Sequence, residues 1–208
     1  MNTPAVLTLD LVRHGTVRTP GLLCAAPDEP LSSEGWRQMR GLKSRGNWDA
    51  IISSPSLRCS RFAAELSEHL DIPLSTDPAW RELDFGSWTG KQREILWQTE
   101  RERMLRLWSD PLRFTAPGGE GMADFVARVF AALAALLKHP PGSRVLLITH
   151  AGVIRAILVK VLGIDYIAAQ RFNIGHARVN RIQAFADGEF SLLKWGEKPA
   201  LHIPGALS

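Results

Sequence analysis

Cysteine is scarce in this chain: Cys24 and Cys59 are the only two among 208 residues. They form neither a metal-ligand nor a redox spacing. That excludes a disulfide scaffold and a cysteine-built zinc site, and it points to reduced thiols in a cytoplasm. Long apolar runs are missing too. None approaches the roughly 20 residues that span a bilayer. Met1 to Pro4 lead straight into a strand-like segment, so no signal peptide, anchor or membrane partner is expected. No internal repeat or low-complexity tract interrupts the chain. Charge of one sign is not concentrated either. The 25 basic and 21 acidic residues are interspersed, and only Arg101, Arg103 and Arg106 cluster. That cluster reads as a solvated helix face. Nucleic acid is therefore not an expected partner, although a net charge of +4 suits small anionic ligands.

What is present is a chain 45% hydrophobic, at a length that fits one domain with its own core. Three places share one layout of a short apolar strand, a tight polar turn and a helix. The first strand is Val6 to Val12, ending at Arg13-His14-Gly15-Thr16. The second is Asp49 to Ser53, where Ser54 is expected to cap the next helix and Pro55 to take its first position. The third is Val145 to Thr149, ending at His150-Ala151-Gly152 before the apolar helix Val153 to Leu162. Strands alternating with helices predict an α/β fold with a mostly parallel sheet and helices on both faces. Phe125, Val129, Leu133 and Leu136 make one helical core stripe; Phe62, Leu66 and Leu70 make another. Ala177 to Phe185 and Glu189 to Trp195 flank Asp187-Gly188 and read as a hairpin. An exposed edge strand there could pair with a second copy as a homodimer.

The stretch Gly90 to Gly119 breaks the strand–helix rhythm with a charged, tryptophan-bearing helix and then Pro111 and Pro117. It reads as a small helical cap of about residues 90–119 over the site. The whole is then a single domain of residues 1–197, with residues 198–208 as a loosely held tail. Trp88, Trp97 and Trp108 are expected to fill the cap's own small core.

Ligands in such sheets bind beyond the carboxyl ends of the strands. Arg13, His14 and His150 fall at such ends, and Arg58 lies one turn into a helix that starts there. Phosphoryl transfer through a side chain needs a nucleophile, positive charge on the nonbridging oxygens and a proton donor for the leaving oxygen. A neutral His14 supplies the first, and Arg13 and Arg58 would disfavour its protonated form while gripping phosphate oxygens with their planar forks. His150 and the backbone N–H groups of Ala151 and Gly152, at a helix start, could hold the transferring group. For the proton donor the candidates are Glu82, Asp84 and Glu120. Partial burial of Glu82 would raise its pKa towards the range a general acid needs. Glu120 also suits a helix start.

These residues sit in ordered blocks. They are Leu11-Val12-Arg13-His14-Gly15, Ser53-Ser54-Pro55-Ser56-Leu57-Arg58, Glu82-Leu83-Asp84-Phe85-Gly86-Ser87-Trp88, Pro117-Gly118-Gly119-Glu120 and Thr149-His150-Ala151-Gly152-Val153-Ile154-Arg155. In this order they resemble the histidine phosphatase superfamily, also called phosphoglycerate mutase-like. The likeness runs from Leu7 to about Leu162. It implies a three-layer α/β/α sandwich and a phosphohistidine at His14. It also implies phosphate binding by Arg13, Arg58 and His150, and Glu82 as proton donor and then acceptor. No metal or other cofactor is implied, only a small phosphomonoester substrate. Within the superfamily the chain looks most similar to α-ribazole phosphatases of cobalamin assembly. That likeness rests on the short cap, on Pro27-Asp28-Glu29-Pro30-Leu31-Ser32-Ser33-Glu34-Gly35 and on Trp108-Ser109-Asp110-Pro111. Many relatives follow Arg-His-Gly with Glu-Thr and then an Asn; here Thr16, Val17 and Pro20 stand at those places, which leaves substrate orientation open. The alternatives are a mutase that returns the group to its substrate and a phospholigand-binding module without turnover. Arg155 is left between buried pairing and pocket lining, His176 between edging the site and a structural role with the latter favoured, and His69, His139 and His202 are read as surface residues.

Overall fold

The computed structural model describes residues 5–43 and 47–198. The readings for Met1 to Pro4, His202 and the tail beyond Lys198 lie outside the described residues. Strand β1 (Ala5–Arg13) is the hub of a six-stranded sheet of order β3-β2-β4-β1-β5-β6. Its companions are β2 (Ala50–Ser53), β3 (Leu74–Thr76), β4 (Ser143–Thr149), β5 (Val179–Phe185) and β6 (Phe190–Glu197). β1, β2, β3 and β4 pair in parallel. β5 runs antiparallel to both β1 and β6, so it alone opposes the common direction. The Asp187-Gly188 hairpin is formed, with Gly188 at φ 84°, a conformation that suits glycine.

The strand period of two sorts apolar side chains onto the two faces. Leu7, Leu9, Leu11, Val145 and Leu147 face one helical layer, made by α5 (Met122–Leu136) and α6 (Ala151–Leu162). Val12, Leu146 and Ile148 face the other, made by α1 (Ser33–Arg40) and α2 (Leu57–Leu70). This is the expected α/β/α sandwich. The predicted stripes of α2 and α5 lie in these two cores. One local expectation is corrected. Helix α2 starts at Leu57, and Ser54 does not cap it. The Leu57 amide donates instead to the Pro27 carbonyl at 2.8 Å, which frees the buried Ser54 hydroxyl for the site.

The remaining elements are α3 (Arg93–Thr99), α4 (Arg101–Ser109) and α7 (Tyr166–Gln170). Leu96, Met104 and Leu107 of α3 and α4 are buried in the same cluster as α5 and α6. Trp88 is wholly buried, 5.6 Å from the Phe114 ring, and Trp97 is partly buried. Trp108 departs from its expected place: it is 42% exposed and borders a cavity, because its ring lies outside the packed seam of α4. Among the described residues no helix is long and apolar enough to cross a membrane.

On the α1/α2 face of β1, Asp10 is wholly buried. It accepts from the Arg181 fork at 2.6 and 2.8 Å and from the Trp48 indole at 2.8 Å, with Arg144 at 3.7 Å. Removing one member of such a network strands the others. Asp10→Ala is expected to lower unfolding stability by about 3 kcal/mol in a urea titration, with kcat of the folded protein unchanged.

Candidate active site

The parallel pairing of β1 and β4 sets Arg13 opposite Thr149, so His14 and His150 leave adjacent strands side by side. Their ring centroids are 5.3 Å apart, and the His14 amide donates to the Thr149 carbonyl at 2.9 Å. Gly15 is required where the chain turns: a Cβ there would strike the backbone of Gly35 in α1. The ring of His14 is buried, with Nδ1 2.8 Å from the Gly15 carbonyl oxygen. A carbonyl only accepts, so Nδ1 carries the proton and Nε2 keeps its lone pair. Burial, then the Arg58 and Arg13 charges, hold the His14 pKa well below the ordinary imidazole value. The ring is neutral at physiological pH.

The two arginines explain much of that. Arg58, buried on the first turn of α2, donates to the Ala26 carbonyl at 2.7 Å and to His150 Nδ1 at 3.3 Å. Arg13 donates to the Ile174 carbonyl at 2.8 Å. Neither has a carboxylate ion pair among the described residues, and the Nε of each is buried without a partner. Burial, only partly opposed by Glu82, lowers the Arg13 pKa to about 10, so its charge persists at neutral pH. Both guanidinium groups line a cavity of about 380 Å³ together with His14, Glu82 and His176.

Glu82 is the proton-donor candidate that reaches this cavity. Its Oε2 accepts from the Gly152 amide at 3.1 Å. Asp84 instead accepts from the Gly86 amide at 2.8 Å, and Glu120 is bound in a fork by Arg128 at 2.7 and 2.9 Å. The Gly152 amide therefore differs from its expected role. The Gly152 N–H holds a carboxylate, and Ala151 and Gly152 line a neighbouring cavity of about 210 Å³. A Cβ on residue 152 would press on the Glu82 carboxylate. Gly152→Ala is expected to leave folding intact, since a flexible side-chain end can yield. It should cut turnover of alkyl phosphates roughly tenfold or more by displacing Glu82, as steady-state kinetics on such an ester would read.

His150 also differs from expectation. It is wholly buried and does not line the cavity. Its Nδ1 receives the Arg58 N–H, which leaves Nε2–H to donate to Ser54 Oγ at 2.7 Å. Its closest hydrogen-bond partners in the protein are Arg58 and Ser54. Burial and Arg58 lower its pKa well below the ordinary value.

Several lining residues lie outside the motif blocks or carry no assigned role. His176, read mainly as structural, has its ring centroid 5.5 Å from His14 and its Nδ1 2.8 Å from the His14 carbonyl. Arg93 and Glu94 on α3 line the cavity too, but an exposed charged pair looks in sequence like any solvated helix face. Thr16, Val17 and Pro20 stand on its wall, with the Thr16 hydroxyl tied to Ser32 at 2.9 Å. Arg155 borders the smaller cavity, its Nε buried and unpartnered. Cys24 and Cys59 are held protonated, each pushed up to about 12 by burial. Among the described residues no group of three or more His, Cys, Asp or Glu side chains could hold a metal ion.

Three neutral imidazoles set an acid limit on stability. His14, His150 and His176 all have lowered pKa values, that of His176 to about 4 by burial and the Arg13 charge. In the unfolded chain they take protons near pH 6.5, so below that the unfolded state binds more protons and folding weakens. Stability is expected to be level between about pH 7 and 8 and to fall between about 6.5 and 4 with a slope of more than one proton. Urea midpoints across that range would show it.

The family model described as "Histidine phosphatase superfamily (branch 1)" matches residues 9–198. The chain belongs to this superfamily. A superfamily relative, the probable phosphoglycerate mutase GpmB of Salmonella choleraesuis, is 30% identical over 182 residues, covering 85% of each chain. Among solved structures, Bacillus stearothermophilus YhfR superposes with TM-score 0.84 at 23% identity, over 92% of this chain and 97% of that one. The α-ribazole phosphatase from Shigella flexneri gives 0.79 at 22% identity, over 91% and 96%. At these identities the structural likenesses establish the fold.

Proposed function

We propose that this histidine phosphatase superfamily member hydrolyses small phosphomonoesters through a phosphohistidine at His14, without a metal. The observation that carries the reading is two arginines, Arg58 buried and Arg13 partly buried, with no carboxylate ion pair among the described residues, set beside a neutral imidazole whose Nε2 lone pair is available. Burying cations unpaired is costly, and an arriving phosphate dianion relieves that cost.

In the first step Nε2 of His14 attacks phosphorus in line. The N–P bond forms as the ester P–O bond breaks, and Glu82 gives its proton to the leaving alkoxide. In the second step Glu82 takes a proton from water. The water oxygen bonds to phosphorus, the N–P bond breaks, and phosphate leaves. Arg13 and Arg58 hold the equatorial oxygens in both steps. His150, braced by Ser54, sets the Arg58 fork.

The substrate proposed first is α-ribazole 5′-phosphate, on the likeness of the cap and motif surroundings to the α-ribazole phosphatases. A second reading, phosphoryl transfer back to a substrate, is favoured by the sequence relatives named as probable phosphoglycerate mutases. A panel of α-ribazole 5′-phosphate, sugar phosphates, phosphoglycerates and p-nitrophenyl phosphate, assayed with EDTA for released phosphate, separates them. Release from α-ribazole 5′-phosphate well above the rest supports the first. Isomerisation that needs a bisphosphorylated primer and frees little phosphate supports the second. Loss of all activity with chelator, restored by metal, would defeat the mechanism.

A further inference from the structure

We propose that Arg128 and Glu120 are positioning residues that hold the backbone carrying Glu82, and so set the delivery of its proton. This rests on the reading of Glu82 as the proton donor. Arg128 lies within α5, and Glu120 just before that helix, and neither lines the 380 Å³ cavity. Their ion pair is bidentate and about four-fifths buried, with side-chain exposures of 18% and 15%. The third nitrogen of the fork, Nη1, donates to two carbonyl oxygens, Ala79 at 2.8 Å and Arg81 at 3.2 Å.

Glu120 grips the other end of the same segment. Its amide donates to the Asp84 carbonyl at 2.9 Å, and its Oε2 accepts from the Asp84 amide at 3.4 Å. The Trp80 carbonyl between these points accepts from the Thr149 hydroxyl at 2.8 Å, on the strand end that leads into His150. The segment from Ala79 to Asp84 is irregular apart from one short turn, and has no ladder of its own to fix it. Held at residues 79, 80, 81 and 84, it leaves Glu82 a narrow range of backbone positions. Its carboxylate then meets the Gly152 amide. A buried ion pair is weak evidence of a stabilising device, because apolar residues of like volume often serve as well. Its value here lies in placing a backbone that carries a reacting group.

The test compares two leaving groups in the full-length protein. An alkyl ester such as glycerol 2-phosphate needs a proton on its leaving oxygen, whereas p-nitrophenolate leaves well without one. Arg128→Met and Glu120→Gln are expected to lower kcat/KM on the alkyl ester roughly 10- to 100-fold and on p-nitrophenyl phosphate less than about threefold, since kcat/KM reports the phosphorylation of His14 and leaves out the second step, in which Glu82 serves both esters alike. Arg128→Lys keeps the charge felt by His150 but loses the fork, and is expected to resemble Arg128→Met. Should Arg128→Met fail to fold, Glu120→Gln, nearly isosteric, carries the test. Equal losses on both esters, no loss, or full rescue by lysine would overturn the inference. Glu82→Gln is the reference. If it discriminates between the esters while the clamp variants do not, only the positioning role falls. If Glu82→Gln itself does not discriminate, the proton-donor reading falls and the inference with it.

Discussion

His14→Ala is expected to reduce hydrolysis of any phosphomonoester by roughly 10⁴-fold or more, since removing a covalent nucleophile eliminates the pathway itself. The fold should survive. The His14 ring makes one hydrogen bond, to its neighbour's carbonyl, and the surrounding strands are held by backbone ladders that the side chain does not join. Two measurements check the prediction together. Rapid acid-free quenching of the native enzyme during turnover of a ³²P-labelled ester should trap a phosphoryl adduct that is labile to acid and stable to base. The alanine variant should show none. A trapped adduct that persists in the variant, or one with the stability of a phosphoserine, places the nucleophile elsewhere.

Arg58→Met is expected to lower kcat/KM by about 10³-fold, the usual consequence of removing a preorganised charge from a transferring phosphoryl group. Its effect on stability should have the opposite character. Arg58 is 3% exposed, has no carboxylate ion pair among the described residues and leaves its Nε unpartnered. A methionine of similar length removes that desolvated charge, at the loss of the bonds to Ala26 and His150. Thermal unfolding should thus show a Tm equal to or above that of the native protein. A third consequence follows from charge. Arg58 is the strongest cation acting on His14, so its removal should move the acid limb of the pH–rate profile to higher pH, towards the ordinary imidazole value. A variant that loses stability by several kcal/mol while keeping its activity would assign Arg58 to the core instead.

These expectations share one cause: the site is a place where the fold accepts instability in return for chemistry. The same chain shows the alternative at Asp10, where a buried carboxylate is bound by the Arg181 fork and the Trp48 indole, with Arg144 as a second cation at 3.7 Å. Burial alone does not separate the two clusters. Pairing does.

The sequence by itself determined three strand–turn–helix units and the late hairpin, though not β3 or α1, because apolar period and turn chemistry are local properties. The strand ends at Arg13, Ser53 and Thr149 were legible for that reason, as was the hairpin around Asp187-Gly188. The ordered motif blocks brought His14, Arg13, Arg58 and Glu82 together as a set, and they do line one cavity. Only the tertiary structure decided what each polar atom faces. Ser54 looked like a helix cap and proved to brace His150. The Gly152 amide looked open to an anion and holds Glu82. His176 and Arg93, separated from the motifs by long stretches of chain, reach the same cavity. Hydrogen-bond partners are set by distances of a few tenths of an ångström between segments remote in sequence, and no local pattern encodes them.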